Sequence, residues 1–214
     1  MPLGEIFVTH HSNNQPLASA LAHLFSPQAD NLFLMRWPML LLGMLVLPFT
    51  YNLGRRIYNQ TVGILAVFLL AIIPVHLAYS VVVRGYSGLI LLVTVSVYFG
   101  VKAMQQNRWP HWVLFLVVNL LVVYFHMFGA FAAGVQLGLV GLWLLWRLSI
   151  SWRQNSLPDF FTQNKLLLFR LGLVTIILLT AYPLLIYHNT QAILSEGGHP
   201  AEFEAWRDGL SWQP

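Results

Sequence analysis

The sequence predicts an all-helical protein that crosses a membrane several times. Of its 214 residues, 57% are hydrophobic and only 8% are charged, and the mean hydropathy is +0.67. Soluble domains carry about 25% charged residues, so this composition excludes an ordinary soluble fold. Eight Trp and eight Tyr suit a chain that passes repeatedly through the headgroup zone, where amphipathic rings settle. The length of the chain therefore limits the number of membrane helices rather than the number of soluble domains.

Apolar runs of about 20 residues, long enough to cross roughly 30 Å of hydrocarbon, mark the predicted spans. Four of these runs are continuous and cover residues 33–53, 62–80, 86–104 and 166–187. The apolar run at 112–146 would extend about 52 Å as one helix, too far for a single crossing. It is predicted to form two short helices that turn near "YFHMFG" at 124–129. We therefore expect six spans within a membrane region of residues 33–188.

The placement of basic residues predicts the orientation of these spans. If six spans alternate, the eleven basic residues divide into eight on one side and three, Arg36, Arg84 and Arg207, on the other. An excess of Lys and Arg marks the cytoplasmic side, so both termini are expected outside. The eight on the cytoplasmic side are Arg55, Arg56, Lys102, Arg108, Arg147, Arg153, Lys165 and Arg170. The pI of 9.6 then reflects membrane anchoring, and no nucleic-acid partner is expected.

Two segments outside the membrane region are predicted to lie on the extracytoplasmic side. Residues 1–32 show no basic n-region and no apolar h-region, so no signal peptide is expected within them. They contain "NNQPLASALAHLF", which predicts a short amphipathic helix at the membrane interface. Asn13 or Asn14 would cap this helix, Pro16 would occupy its first turn, and its apolar face would be Leu17, Leu21, Leu24 and Phe25. Residues 189–214 hold four of the seven acids and are expected to begin a truncated loop or domain.

The stretch "SVVVRGYSGL" at 80–89 places Arg84 between two apolar runs. An arginine near a helix end can extend its side chain to the headgroup phosphates, which is a purely structural role. Alternatively, the fork-shaped guanidinium binds phosphate oxygens in a site, with hydroxyl groups from Tyr86 and Ser87 beside it. Gly85 and Gly88 would allow the backbone to approach a neighbour closely. Both interpretations remain open on the residues alone.

Four segments in order give the chain a family resemblance over about residues 10–150. They are "NNQPLASALAHLF", "RWPMLLLGMLVLPFTYNLGRRIYNQTVGILAVFLLAIIPVHLAYS", "RGYSGLILLVTVSVYF" and "YFHMFGAF". Together they resemble the bacterial lipid-linked-sugar glycosyltransferases of the protein O-mannosyltransferase and aminoarabinose transferase superfamily. The resemblance implies a GT-C fold in the bacterial inner membrane. It also implies a polyprenyl-phosphate-linked sugar donor and a reaction at the extracytoplasmic face, with a protein, lipid or glycan as acceptor.

The resemblance also implies roles for particular residues. The family's Gly-Arg-Arg turn matches residues 54–56, and its Arg-Gly-Tyr matches residues 84–86. The family's Tyr-Thr-His-x-Phe-Gly pattern matches Tyr124, His126, Phe128 and Gly129. From these matches, the resemblance implies that Arg84, Tyr86 and His126 bind the donor phosphate.

Asn14, Gln15 and His11 are expected to line the same site. The chain departs from the family pattern at two positions, because Gln15 stands where the family has histidine and Val82 stands where it has glutamate. For His126, a site role and a hydrogen-bonded packing role both remain open.

The resemblance assigns the base to a carboxylate, with basic residues and in some members a divalent metal ion stabilising the lipid phosphate that departs. The family's first membrane helix and its acidic loop have no counterpart upstream of Met1, so the chain is expected to be truncated at both ends. Glu5 is the candidate base, with a solvated carboxylate as the alternative. His10 and His11 are candidate metal ligands or surface residues. We expect this chain to bind the donor without transferring sugar.

Two other classes of protein remain as alternatives. A non-catalytic polytopic protein, such as a transporter component, should carry charged or Gly/Pro-broken segments at mid-membrane depth. Here every ionisable side chain except histidine lies near a predicted helix end or in a loop, which favours chemistry at the interface. An inactive glycosyltransferase paralogue is the third possibility, because of Gln15 and Val82.

Overall fold

The computed structural model describes residues 15–25, 31–126 and 128–195, and these residues form α-helices without any strand. The predicted all-α class is confirmed. In chain order the helices are α1 (Pro16–Phe25), α2 (Leu32–Ile57), α3 (Gln60–Ile72), α4 (Pro74–Val81), α5 (Tyr86–Gln106), α6 (Trp109–Phe125), α7 (Gly129–Arg153) and α8 (Leu157–Ser195).

All six predicted apolar segments are helical, but the segment 62–80 is divided between two helices. By length and composition, four helices in the described part of the chain can cross a membrane: α2, α5, α7 and α8. The pair α3 and α4 makes a fifth span if its 63° bend is counted as one crossing. Pro74 explains this bend, because proline lacks an N–H and disfavours helical backbone in the residue before it. Helix α6 has 17 residues and reaches only about 25 Å, less than the hydrocarbon thickness on which the predicted sixth span was based.

The predicted turn within 124–129 is confirmed, since α6 ends at Phe125 and α7 begins at Gly129. Asparagine side chains cap two of the other helices. The Asn31 Oδ1 accepts hydrogen bonds from the backbone N–H groups of Phe33 (3.0 Å) and Leu34 (3.2 Å). The Asn59 Oδ1 accepts one from Val62 (2.9 Å) and so starts α3. These caps satisfy N–H groups that would otherwise lack a partner at each helix start.

The apolar face predicted for α1 is only partly correct. The two leucines in the middle of the helix are partly buried, whereas Leu24 and Phe25 are exposed. The buried residues of α1 are Pro16, Ala18 and Ala22. Small side chains let α1 approach its neighbours α2 and α6 closely. The predicted caps at positions 13 and 14 lie outside the described residues, and the Gln15 carbonyl closes the first turn by accepting from Ser19 N–H (3.0 Å).

A polar network joins α5, α6, α7 and α8 inside the otherwise apolar bundle. The Asn119 Nδ2 donates to Ser96 Oγ (2.7 Å) and to the Phe115 carbonyl (2.9 Å). The Ser96 hydroxyl donates to Gln136 Oε1 (2.7 Å), and the Tyr182 hydroxyl donates to the Asn119 carbonyl (3.1 Å). Such bonds between membrane helices contribute about 0.6 kcal/mol each on average. The network fixes how these four helices sit against one another.

Large apolar side chains cover the outer surface of the bundle. On α7, for example, Phe131 is 72% exposed and Leu142 is 64% exposed. In water this would be an unusually large apolar surface, whereas in a bilayer such side chains contact lipid. The chain is therefore a multi-pass membrane protein.

Candidate functional site

The candidate site lies where the start of α1, the loop between α4 and α5, and the turn between α6 and α7 meet. The Gly85 N–H donates to the Gln15 side-chain carbonyl, which links the first helix to the start of α5. Gln15 is buried, so its side chain serves as an anchor beside Arg84 and Tyr86. We call this end of the bundle the site end.

Gly85 and Gly88 allow α5 to approach the end of α6. A Cβ atom on Gly85 would overlap the Phe125 carbonyl oxygen, and one on Gly88 would overlap the Phe125 ring. The Gly85 φ angle of −68° is accessible to any residue, so spacing rather than backbone conformation requires glycine here. The close approach predicted from the sequence is present, and the neighbour is Phe125 of the same chain.

Ser87 does not have the exposed position that the sequence interpretation required. Its side chain is only 1% exposed, and its hydroxyl donates to the Tyr79 carbonyl (2.7 Å). This bond holds α4 against the first turn of α5. The prediction that Ser87 offers its hydroxyl to a phosphate is therefore wrong, because the side chain points into the protein.

Arg84 is exposed in the loop that precedes α5. Within the part of the chain that the structure describes, no hydrogen bond or ion pair engages its guanidinium. Asp159, the one acidic residue in the described ranges, starts α8 at the other end of the bundle. The Arg84 guanidinium can therefore offer its N–H groups to a ligand without losing a bond within these residues.

Five aromatic side chains follow one another at the site end, and we call them the aromatic column. The centroids of Tyr79 and Tyr86 are 4.6 Å apart, and those of Tyr86 and His126 are 5.3 Å apart. His126 stacks on Phe128 at 5.0 Å, and Phe128 lies 6.0 Å from Phe131. Tyr86 and His126, two predicted site residues, are thus in ring contact. The column leads from the α4–α5 loop to the exposed outer face of α7.

His126 is buried at the turn between α6 and α7, in the middle of the column. Its Nδ1 accepts a hydrogen bond from the Phe128 N–H (3.3 Å), which assigns the proton of the neutral ring to Nε2. Burial lowers the pKa of His126 below its ordinary value of 6.5, because the charged form loses hydration. The ring is therefore neutral at pH 7.

This lowered pKa predicts a loss of stability in acid. As the pH falls below 6.5, the unfolded chain takes up a proton at His126 before the folded chain does, so the free energy of unfolding decreases. We expect His126→Gln to reduce this pH dependence, as measured by the melting temperature of the detergent-solubilised protein between pH 8 and pH 5. An unchanged slope in His126→Gln would contradict the assignment.

Three predicted site residues, Glu5, His11 and Asn14, lie outside the described residues, as does His10. In the described ranges, no group of three or more His, Asp or Glu side chains could hold a metal ion. The described side chains at the site end therefore do not form a metal site by themselves.

Sequence reasoning missed part of the aromatic column, namely Tyr79, Phe128 and Phe131 as members of the site. The available signal was the presence of aromatic residues on both sides of Arg84 and of the predicted turn at 124–129. Which of them stack could not be read from spacing, because the contacts join separate helices.

Comparison with known proteins identifies the family of the chain. The family model described as dolichyl-phosphate-mannose-protein mannosyltransferase matches residues 14–187, which include α1 and all residues of the aromatic column. No curated protein and no solved structure matched the chain. Because the family match covers most of the sequence, the chain belongs to the dolichyl-phosphate-mannose-protein mannosyltransferase family.

Proposed function

We propose that the chain is part of a membrane glycosyltransferase that takes a sugar from a polyprenyl-phosphate donor at the extracytoplasmic face. Membership of a mannosyltransferase family supports the reaction class. The observation that carries the site assignment is Arg84, exposed and without a partner in the described residues, next to the aromatic column. The acceptor is a protein, a lipid or a glycan.

Arg84 and His126 would bind the donor phosphate together. The guanidinium fork matches two phosphate oxygens, and the Nε2–H of His126 is a further donor. Tyr86 lies between these residues in the chain and positions His126 through its ring contact. Phe128 and Phe131, which are 59% and 72% exposed, offer apolar surface to the first units of the polyprenyl chain.

In the proposed reaction, an acceptor hydroxyl oxygen attacks the anomeric carbon of the sugar. The bond between that carbon and the phosphate oxygen breaks, and its electron pair remains on the polyprenyl phosphate. Arg84 and His126 stabilise the charge that develops there. The acceptor proton goes to a carboxylate, for which Glu5 is the candidate within this sequence. Asn14, Gln15 and His11 would line the same site.

The experiment that tests this function measures donor binding by the purified full chain. We expect polyprenyl-phosphate-linked mannose to bind, and polyprenol without a phosphate to bind at least tenfold more weakly, because only the former engages Arg84. We expect this chain to transfer no labelled mannose from the bound donor to an envelope extract, and measured transfer would assign the base to Glu5 or to another residue of the chain. Equal binding of the two lipids would contradict the phosphate site.

We further propose that residues 33–188 form the membrane region in the bacterial inner membrane. Residues 1–32 and 189–214 would then lie on its extracytoplasmic side. The chain has no cysteine, so single-cysteine labelling has no background. An impermeant thiol reagent added to intact cells should label Val82→Cys and should not label Asn59→Cys or Asn155→Cys. Labelling of Asn155→Cys from outside would contradict this orientation.

A further inference from the structure

A second group of basic side chains lies at the end of the bundle opposite Arg84. Helix α5 has 21 residues and separates the two ends by about 30 Å. At its far end, Lys102 lies near the C-terminus of α5, Arg108 precedes α6, and His111 is in the first turn of α6. Arg56 comes from the last turn of α2. We call these four residues the distal basic cluster.

The distal basic cluster has no acidic partner within the described residues. Helix α2, which carries Arg56, packs against α5, which carries Lys102 and leads into Arg108 and His111. Lys102 and Arg56 are partly buried, so water screens their charges less than it screens a fully exposed charge. The N-terminus of α6 adds partial positive charge, and Arg108 gives it no side-chain cap. The cluster therefore favours an anion.

Two polar atoms in the cluster also lack hydrogen-bond partners within the described ranges. The Arg56 Nε and the His111 Nδ1 are buried without one, whereas His111 Nε2 pairs with Gln106 Oε1 (2.8 Å). The Lys102 Nζ lies over two ring faces, at 5.2 Å from Tyr98 and 5.9 Å from Phe99. A buried donor without an acceptor is costly, so the Arg56 Nε–H points to an acceptor that is supplied from outside the chain.

We propose that the distal basic cluster binds the phosphate group of an anionic phospholipid from the leaflet at that end. A phosphate supplies several acceptor oxygens and the negative charge that the cluster lacks. Basic pockets between membrane helices bind anionic headgroups in this way, and the apolar outer surface of the bundle accommodates the acyl chains. This site is separate from the donor site and does not depend on the proposed function.

Native mass spectrometry of the full chain in detergent tests the proposal with phosphatidylglycerol as the probe and phosphatidylcholine as the zwitterionic comparison. We expect phosphatidylglycerol to bind at least tenfold more tightly. Arg56→Gln and Lys102→Gln should each weaken its binding about tenfold, since each removes one charge-assisted contact. The matched control is Arg153→Gln, which removes an exposed charge from the end of α7 and should change binding less than twofold.

Three results would overturn the proposal. Equal binding of the two lipids would remove the role of headgroup charge. An equal loss in Arg153→Gln and Arg56→Gln would indicate general attraction to the surface rather than a site. Displacement of phosphatidylglycerol by equimolar glycerol phosphate would assign the cluster to a free phosphate compound instead of a lipid. Arg56→Lys keeps the charge but lacks the Nε–H group, so its affinity for phosphatidylglycerol should lie between those of the native protein and of Arg56→Gln. This intermediate affinity would show that the loss in Arg56→Gln does not come from misfolding.

Discussion

Replacing Arg84 with lysine is expected to weaken the binding of polyprenyl phosphate at least tenfold. Lysine keeps the charge but loses the fork that contacts two phosphate oxygens. A charge-assisted hydrogen bond contributes about 1.5–3 kcal/mol, which corresponds to roughly ten- to a hundredfold in affinity. Equilibrium binding to the solubilised full chain measures the change.

The control for this prediction is Arg36→Lys, another exposed arginine, on the first turns of α2. We expect this variant to bind polyprenyl phosphate as the native protein does. If Arg84→Lys also binds within twofold of the native protein, Arg84 only extends its charge to the headgroups. The phosphate site would then rest on the family membership alone.

Gly85→Ala is expected to destabilise the fold by about 3 kcal/mol, at the upper end of the range for overpacking. The added methyl group would overlap the Phe125 carbonyl oxygen, which belongs to the backbone and cannot rotate away. The start of α5 would have to move from α6, and the bond to Gln15 would weaken with it. Denaturant unfolding of the solubilised protein measures the free energy of unfolding.

Gly134→Ala is the matched control, because nothing lies within 4 Å of a Cβ atom built at this position of α7. We expect it to be neutral or stabilising, since alanine favours a helix by about 1 kcal/mol over glycine. Equal stability of the Gly85→Ala and Gly134→Ala variants would show that α5 and α6 can separate at little cost.

Hydropathy and helix length predicted most of the fold. The break of the apolar run 112–146 followed from the length of a single crossing, and the structure has it between Phe125 and Gly129. The bend before Pro74 was not predicted, although the proline itself was visible. Whether a proline kinks a span or starts a new helix depends on the packing of neighbouring helices, which hydropathy does not contain.

The sequence predicted a candidate site residue where the charge of the side chain marked it. It failed where the direction of the side chain in the fold determines its role. Arg84 stood out because a charge between apolar runs is costly unless it lies near a helix end. Its exposed position in the loop before α5 fits this expectation. Ser87, three residues later, was misassigned because a helix turns about 100° per residue and directs it inward. Tyr79 joins the column through a contact between two helices. The roles of Tyr86 and His126 remain predictions that the binding experiments test.

The polar network also has a consequence for how the protein is made. Ser96 and Asn119 are synthesised first and can pair as soon as α5 and α6 have entered the membrane. Gln136 and Tyr182 arrive later, on α7 and α8, and complete the network. Since chains are synthesised from the N-terminus, α5 and α6 are available to pair before α7 and α8 have been made. A ribosome-bound chain that stops before Tyr182 would hold this pair of helices without its final partner.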